Sequence, residues 1–391
     1  MEDFIHLHVH TYYSLLDGQS PVEKLVDKAI ANGMRGMAIT DHGNMFGVKE
    51  LFNYCNKVNG KLKKEGKEPF KPIFGCEMYV AHRKKSDRVK EKGDMGGYHL
   101  IVLAKNYNGY KNLIKLVSRA WVDGYYMRPR TDREDLEKYH EDLIVCSACI
   151  AGEVPAKILK NDIAGAREAI EWYKNLFGDD YYLELQRHEV RDPHQRANRE
   201  TFPLQQQANK VLMELAKEYG IKLVCTNDCH FVNQDNAEAH DHLLCLATGK
   251  DLDDPNRMLY TKQEWFKTRE EMNEVFADVP EALSNTLEIL DKVEFYSIDH
   301  SPIMPFFPIP KEFGTEEDTR KRITPEELFR EFTTDENGND IMSQEEAESK
   351  IKKLGGIDKL YRIKFEADYL AKLAYDGAKR LYGDPLPEEV S

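Results

Sequence analysis

One sequence pattern repeats along the first 235 residues. A short apolar run is followed by a longer stretch in which apolar residues recur at three- and four-residue steps. The runs indicate buried strands and the longer stretches amphipathic helices, several of which end at glycine. This alternation is typical of parallel βα units, and about seven of them favour a closed barrel over an open sheet. The runs are FIHLHVH (4–10), GMAIT (36–40), FKPIFGCEMYVA (70–81), YHLIVLA (98–104), EDLIVCSA (141–148), DYYLELQ (180–186) and IKLVCTND (221–228).

The second part of the chain has a different pattern. Residues 261–293 are helical in pattern without strands, and SPIMPFFPIP (301–310) has the four prolines expected of an extended linker. Residues 311–391 are highly charged and helical in pattern. We therefore predict a barrel domain over 1–275 and a mainly helical segment over 276–391. The last residues show neither a strand nor a clear cap and look like an internal boundary in a larger protein.

Composition limits the class of protein. With 391 residues, 41% of them hydrophobic, the chain suits one large or two medium globular domains. It has no run of eighteen apolar residues, and its first residues do not resemble a signal peptide, so we expect a cytoplasmic protein. Seven cysteines, an odd number, favour reduced thiols over a disulfide framework. The net charge of -14 argues against strong stand-alone binding of nucleic acid, unless a basic patch or bound metal reverses the local field.

Side chains of the metal-ligating type fall at the ends of most predicted strands. His8 and His10 are two residues apart in the first run, so both imidazoles point to one side of it. Glu77 lies in an otherwise apolar strand, where a carboxylate must be paired, protonated or bound to metal. Because barrel enzymes assemble their sites from strand ends, we expect a metal centre at one rim. The other candidates are His42, His99, Cys149, Asp228 and His230.

Each candidate has a structural alternative. Asp41 is expected to cap a helix and hold the turn beside His42, and Glu77 could pair with a cation of RKK (83–85). Cys146 and Cys149 form a C-x-x-C pair, which could be redox active or half of a zinc knuckle. Three-residue spacing on a strand puts them on opposite faces, so joint ligation requires that the strand has ended.

The remaining histidines are less clear. His99 lies at the start of its predicted strand, whereas the other candidates lie at the ends of theirs. An antiparallel hairpin of 73–81 with 98–104 would be needed to bring it to the same rim. His240 and His242 lie in a helical stretch, where residues two apart do not share a face, so we expect no ligand role for them.

Seven motifs occur in order and resemble one family. HLHVHTYYSLLDG, ITDHGNMFG, GCEMYV, YHLIVLAKNYNGYKNL, RPRTDREDLEKY, CSACIAGEVP and TNDCHF are similar to the polymerase-and-histidinol-phosphatase (PHP) domain. More closely, they resemble the amino-terminal part of bacterial DNA polymerase III alpha subunits, over residues 1 to about 275. Residues 256–310 and the final YGDPLPEEV are similar to the segments leading into the palm of that polymerase.

The resemblance implies a distorted (β/α)7 barrel of PHP type that binds up to three divalent ions. One ion would be held by His8, His10, Glu77 and Asp228, a second by Glu77, His99 and Cys149, and a third by Asp17, His42 and His230. His6 shares a face with His8 but matches no ligand position of the family, so a packing role is expected for it. Mixed imidazole, carboxylate and thiolate ligands suit zinc best and are compatible with manganese or iron. We expect Glu77, Asp228 and His230 to take part in catalysis.

The resemblance implies a metal-dependent phosphoesterase, acting as a 3′–5′ exonuclease on DNA ends, in a chain that works with the rest of a polymerase and other replisome subunits. Two alternatives stay open: a structural module that docks a proofreading subunit, and a small-molecule phosphatase. No later strand pair carries the aspartates of a palm, so we expect no DNA synthesis from this chain. The candidate phosphate ligands are Arg128, Arg130, Arg187 and His188.

Overall fold

A computed structural model describes residues 1–190, 195–303, 305–335 and 337–390. The chain divides into two compact units, 1–300 and 301–391, which are described separately below. Of the helices in the described ranges, none has both the length and the apolar character needed to cross a bilayer.

The described part of the first unit contains a seven-stranded sheet in the order β1-β2-β3-β5-β6-β7, with β4 beside β2. Most neighbouring strands are parallel, as the alternating pattern predicts, but β3 runs antiparallel to both β2 and β5. The strands are β1 (Gly36–Ile39), β2 (Lys71–Val80), β3 (Tyr98–Ala104), β4 (Arg130–Thr131), β5 (Leu143–Cys146), β6 (Tyr181–Leu185) and β7 (Leu223–Cys225).

The segment of residues 4–10 joins the two ends of this sheet. On one side the backbone N–H groups of Ala38 and Thr40 donate to carbonyls of this segment, at 2.9 and 2.8 Å. On the other side Cys229 N–H donates to the His8 carbonyl at 3.1 Å, and Cys229 O accepts from His10 N–H at 2.7 Å. The ring of extended segments therefore closes, and we call residues 4–10 the closing segment.

Most of the helices lie around the ring with an apolar face against the strands. In α3, for example, the Asn106 side chain caps the first turn and Leu113, Leu116 and Ala120 are buried. The helices are α1 (Val22–Ala31), α2 (Val48–Lys64), α3 (Tyr107–Val122), α4 (Arg133–Tyr139), α5 (Glu153–Leu159), α6 (Ile163–Phe177), α7 (Arg196–Tyr219), α8 (Ala237–Thr248), α9 (Arg269–Val275) and α10 (Pro280–Lys292).

The fold confirms the predicted distorted α/β barrel and the hairpin that was needed for His99. Strand β2 pairs antiparallel with β3 in the register Tyr79↔His99. The first unit ends later than residue 275, because α10 buries Leu283, Ile289 and Leu290 in the same core. The assignment of the following residues to a segment leading into a palm stays a prediction.

The described part of the second unit is helical, as predicted. A small core of Leu328, Ile351, Leu360 and Tyr361 holds its helices together. Residues 301–303 and 305–310 contain neither helix nor strand, in keeping with the predicted linker, whose Met304 lies outside the described residues. The helices are α11 (Glu316–Arg322), α12 (Pro325–Thr333), α13 (Gln344–Leu354) and α14 (Ile357–Tyr382).

Candidate metal centre

The nine predicted ligands meet at one rim of the barrel, which we call the ligand rim. They arrive from six places along the chain: the closing segment, the loop after it, and the ends of β1, β5 and β7, together with the hairpin β2–β3. The convergence follows from topology, because carboxyl ends of parallel strands meet at one edge and the antiparallel β3 returns its first residues there. The nine are His8, His10, Asp17, His42, Glu77, His99, Cys149, Asp228 and His230.

Glu77 lies at the middle of the ligand rim and is 1% exposed. Its Oε1 is 2.8 Å from His99 Nδ1 and 3.4 Å from His8 Nε2. Its Oε2 is 2.5 Å from His42 Nδ1 and 3.5 Å from His10 Nε2. One carboxylate therefore faces four imidazoles. The cations of residues 83–85 do not pair with it: Arg83 binds Asp94 and Lys85 binds Asp135.

Asp228 provides a second carboxylate opposite the closing segment. Its Oδ1 is 3.1 Å from His8 Nε2, 3.2 Å from His10 Nε2 and 3.6 Å from His230 Nδ1. The residue has φ +46, a left-handed conformation in which an Asp is strained. In this backbone conformation the carboxylate faces the two alternating imidazoles.

Asp17 and Cys149 each lie beside different histidines of the rim. Asp17 Oδ2 is 2.9 Å from His42 Nε2 and 3.8 Å from His230 Nε2. Cys149 Sγ is 3.6 Å from His99 Nδ1, whereas Cys146 is buried within β5. The C-x-x-C pair therefore does not act as a unit.

Several nitrogen and oxygen atoms of the rim fit a bound cation. Five buried ones face each other across 2.5–3.5 Å without a hydrogen-bond partner among the described residues. Buried polar atoms normally find partners, and a shared cation satisfies several lone pairs at once. Three overlapping groups, His8–His10–Asp228, His42–Glu77–His99 and His10–His42–His230, each place their nearest ligand atoms within 4.8 Å. The five atoms are His8 Nε2, His10 Nε2, His42 Nδ1, Glu77 Oε2 and Asp228 Oδ1.

Electrostatics at the rim favour positive charge. Burial by itself raises the pKa of the Glu77 carboxyl, but the facing imidazoles of His99 and His42 hold it well below its usual range. The pKa values of the two alternating imidazoles diverge. Burial, together with His42 and His230, lowers the pKa of His10 to about 3, whereas Asp228 and Glu184 outweigh burial and raise that of His8 well above its ordinary value. Protons and divalent cations therefore compete for the same atoms.

The far ring nitrogens of the two alternating imidazoles are held by hydrogen bonds. His8 Nδ1 donates to Glu184 Oε1 at 2.7 Å. His10 Nδ1 donates to Ser14 Oγ at 2.8 Å, because the Ser14 hydroxyl itself donates to Asp41 at 2.7 Å. Both contacts leave the Nε2 lone pairs directed at the rim, the usual arrangement of metal-ligating histidines. Asp41 thus does not cap a helix as predicted: it accepts from Thr11 and Ser14 and fixes the loop after the closing segment.

The sequence reasoning missed two residues that contact the ligands. Glu184 stands in an apolar strand, the same signal that identified Glu77. Tyr260 lies in the segment after α8, and its hydroxyl is 3.1 Å from Asp17 Oδ1 and 3.2 Å from His230 Nε2. His240 is not a ligand, but its Nε2 donates to the Asp17 carbonyl at 2.8 Å.

The predicted phosphate ligands separate into one that fits and three that do not. Arg128 is exposed beside the rim, with its guanidinium 5.5 Å from the Tyr79 ring centre. The prediction for Arg130 needs correction, because its buried guanidinium donates to four backbone carbonyls. Arg187 is paired with Asp278 instead, and it lines a different cavity.

His188 also needs correction as a phosphate ligand. It is buried, its Nε2 donates to the Asn227 carbonyl at 3.0 Å, and its Nδ1 accepts from Gln205 at 3.1 Å. His6 packs as expected, with Nε2 donating to the Lys267 carbonyl at 2.8 Å and its ring against Phe266.

Comparison with known proteins finds a matching family. The model of the PHP domain matches residues 6–188. The chain carries a PHP domain. Seven of the nine rim residues, those from His8 to Cys149, fall inside the matched range, and Asp228 and His230 follow it.

Relatives extend the similarity beyond the PHP domain. DNA polymerase III subunit alpha of Borreliella burgdorferi is 43% identical over 329 residues, 83% of this chain and 27% of the relative. The Treponema pallidum protein of the same name is 38% identical, over 84% of this chain and 26% of the relative. The chain thus spans about a quarter of the length of these curated relatives.

A solved structure also matches in part. Histidinol phosphate phosphatase from Lactococcus lactis, in complex with zinc, L-histidinol and phosphate, is 16% identical and covers 58% of this chain and 85% of its own, with a TM-score of 0.28.

Proposed function

We propose that the ligand rim of this PHP domain binds divalent ions and hydrolyses phosphoesters, with the 3′ end of DNA as substrate. The main observation that supports metal binding is the group of five buried ligand atoms that face one another without hydrogen-bond partners among the described residues. The similarity to DNA polymerase III alpha subunits supports DNA as the substrate class.

The donor set fits zinc, with manganese or iron as compatible ions. We propose the three groups that the family resemblance implies: His8, His10, Glu77 and Asp228 for one ion, Glu77, His99 and Cys149 for a second, and Asp17, His42 and His230 for a third. Bound divalent ions lower the pKa of a coordinated water and stabilise the oxygens of a phosphoryl group during displacement.

The protein's own residues then position the ligands and the substrate. Glu184 and Ser14 fix the ring orientations of His8 and His10. His230 donates from Nδ1 to the Asp228 carbonyl at 2.8 Å, which directs the Nε2 lone pair to the side of Asp17 and the Tyr260 hydroxyl, where the third ion would be held. Arg128, exposed beside the rim, is the candidate for holding a substrate phosphate.

The test combines elemental analysis with digestion of DNA labelled at its 3′ end, on the wild type and on Glu77→Ala and Asp228→Ala. Both variants should lose bound metal and digestion together. Asp278→Ala, which removes an exposed carboxylate at a different cavity, is the matched control and should keep both.

Other outcomes discriminate between the functions. Full metal content without turnover of DNA or of small phosphate esters would favour a structural module. Turnover of small esters alone would favour a small-molecule phosphatase. We also propose that the remainder of a polymerase and other replisome subunits are partners of this chain, and that it extends no primer by itself.

A further inference from the structure

Large apolar side chains are exposed beside the ligand rim. Phe46 is 57% exposed, Trp121 44% and Tyr125 47%. Together with the rim residues Asp17 and His42 they line one cavity of about 380 Å³. Exposed apolar residues scattered singly need no explanation, but a group that shares a cavity with a polar site marks a binding surface. We call Phe46, Trp121 and Tyr125 the aromatic platform.

The platform is fixed to the strand ends that carry the ligands. The rings of Trp121 and Tyr125 stack with centres 5.5 Å apart and planes at 16°. Trp121 Nε1 donates to the Gly43 carbonyl at 2.8 Å, and Gly43 N–H donates to the Glu77 carbonyl at 2.8 Å. The indole plane is therefore held in a set position relative to Glu77, so a flat ligand can stack on it at little cost in side-chain entropy.

Charge around the cavity argues against recognition of a polyanion by its backbone alone. Arg128 is the one Lys or Arg among the described residues that line it, and the whole chain carries a net charge of -14. Arg128 has no carboxylate partner in the described part of the chain, so its guanidinium is free for a single phosphate. Proteins that bind single strands stack successive bases on aromatic side chains, because each base offers a flat face, and here stacking has to contribute most of the affinity.

We propose that the aromatic platform binds the terminal bases of a single-stranded DNA 3′ end, with Arg128 against a backbone phosphate. This inference rests on the proposed function, since the bound strand would place its end at the ligand rim. Bases inside a duplex are stacked on each other, so a blunt end offers the platform only the outer face of its last pair. The site therefore selects frayed or unpaired ends over blunt duplex ends.

The experiment measures binding by fluorescence anisotropy, with zinc-loaded protein and a labelled single strand whose 3′ linkages are phosphorothioates that resist hydrolysis. The same strand with abasic terminal sugars keeps every phosphate but has no base to stack. The variants are Trp121→Ala and Tyr125→Ala. The matched control is Tyr107→Ala, at the other end of α3 with a similar exposed fraction (43%) and outside the cavity.

Trp121→Ala should raise the Kd for the normal strand roughly 5- to 150-fold, the range expected for losing about 1–3 kcal/mol of base stacking. The abasic strand and the blunt duplex should bind weakly to the wild type, and equally weakly to both platform variants. Tyr107→Ala should bind as the wild type does.

Equal affinity of the wild type for normal and abasic strands would overturn the proposal, as would an equal loss of affinity in Tyr107→Ala. If Trp121→Ala loses zinc, the DNA affinity of Tyr125→Ala becomes the test of the platform, because that variant keeps the Trp121–Gly43 hydrogen bond. Base-dependent binding without digestion would reject the proposed hydrolysis and keep the platform. Digestion with base-independent binding would reject the platform alone.

Discussion

Glu184→Gln tests whether the outer contacts of the rim imidazoles set metal affinity. The Glu184 side chain is buried, and its Oε1 accepts from His8 Nδ1 at 2.7 Å, from Gln186 Nε2 at 3.0 Å and from the Thr226 hydroxyl. The negative charge favours the proton on His8 Nδ1 and raises the basicity of Nε2, which faces the ligand rim. Glutamine keeps the size of the side chain and removes the charge.

The expected magnitude follows from this single contact. Loss of an outer partner of a ligating histidine typically weakens metal affinity about 10- to 100-fold, or roughly 1.4–2.7 kcal/mol. At saturating metal the stabilisation of the folded state falls by the same free energy, about 1.4–2.7 kcal/mol. The zinc-induced rise in Tm should therefore shrink by a few degrees in Glu184→Gln.

Competition with a chromophoric chelator gives the zinc Kd, and thermal unfolding with and without zinc gives the shift in Tm. Glu264→Gln is the matched control, since Glu264 is an equally buried carboxylate whose Oε1 accepts from the Thr261 hydroxyl at 2.5 Å. Wild-type zinc affinity in Glu184→Gln, or an equal loss in Glu264→Gln, would refute the reasoning.

Three further predictions concern stability. Burial lowers the pKa of His6 to about 3; the folded state therefore binds fewer protons than the unfolded one below about pH 6.5, and stability falls with pH toward 3. His6→Phe should flatten this slope in urea unfolding of chelator-treated protein, and the exposed His242→Phe should leave it unchanged. Leu7→Ala, fully buried in the closing segment, should lower the free energy of unfolding by about 2–5 kcal/mol; a loss as small as that of the exposed Leu246→Ala would contradict the packing. Gly43 has φ +62, and an added Cβ would lie 2.6 Å from a proline ring, so Gly43→Ala should cost at least about 1–3 kcal/mol in thermal unfolding; an unchanged Tm would disprove the strain.

Much of the candidate site could be predicted from the sequence, because strand alternation and βα topology are enough to place most of its residues. His8 and His10 alternate on one extended segment, and Asp228 and His230 follow a buried run, so βα topology alone brings them to one rim. Glu184 carried the same signal as Glu77, an acid inside an apolar strand, and could have been found by applying that rule twice.

Other features depend on packing between distant segments and leave no local pattern. Tyr260 reaches Asp17 across 243 residues from a segment without regular structure. Arg130 looks like a phosphate ligand by residue type, but the loop of residues 85–94 closes around it and supplies three of the carbonyls it binds. The docking of α10, which moves the end of the first unit to residue 300, likewise rests on its buried face rather than on a sequence boundary.

The closing segment also orders the events of synthesis. Residues 4–10 are translated long before their partners, since Ile5 N–H bonds the Thr286 hydroxyl at 3.1 Å and the backbones of His8 and His10 bond that of Cys229. The two imidazoles of this segment therefore reach their positions in the rim only after Cys229 and Thr286 have been translated. The complete set of rim ligands cannot assemble before then, so the proposed loading with metal would be a late step in the maturation of this domain.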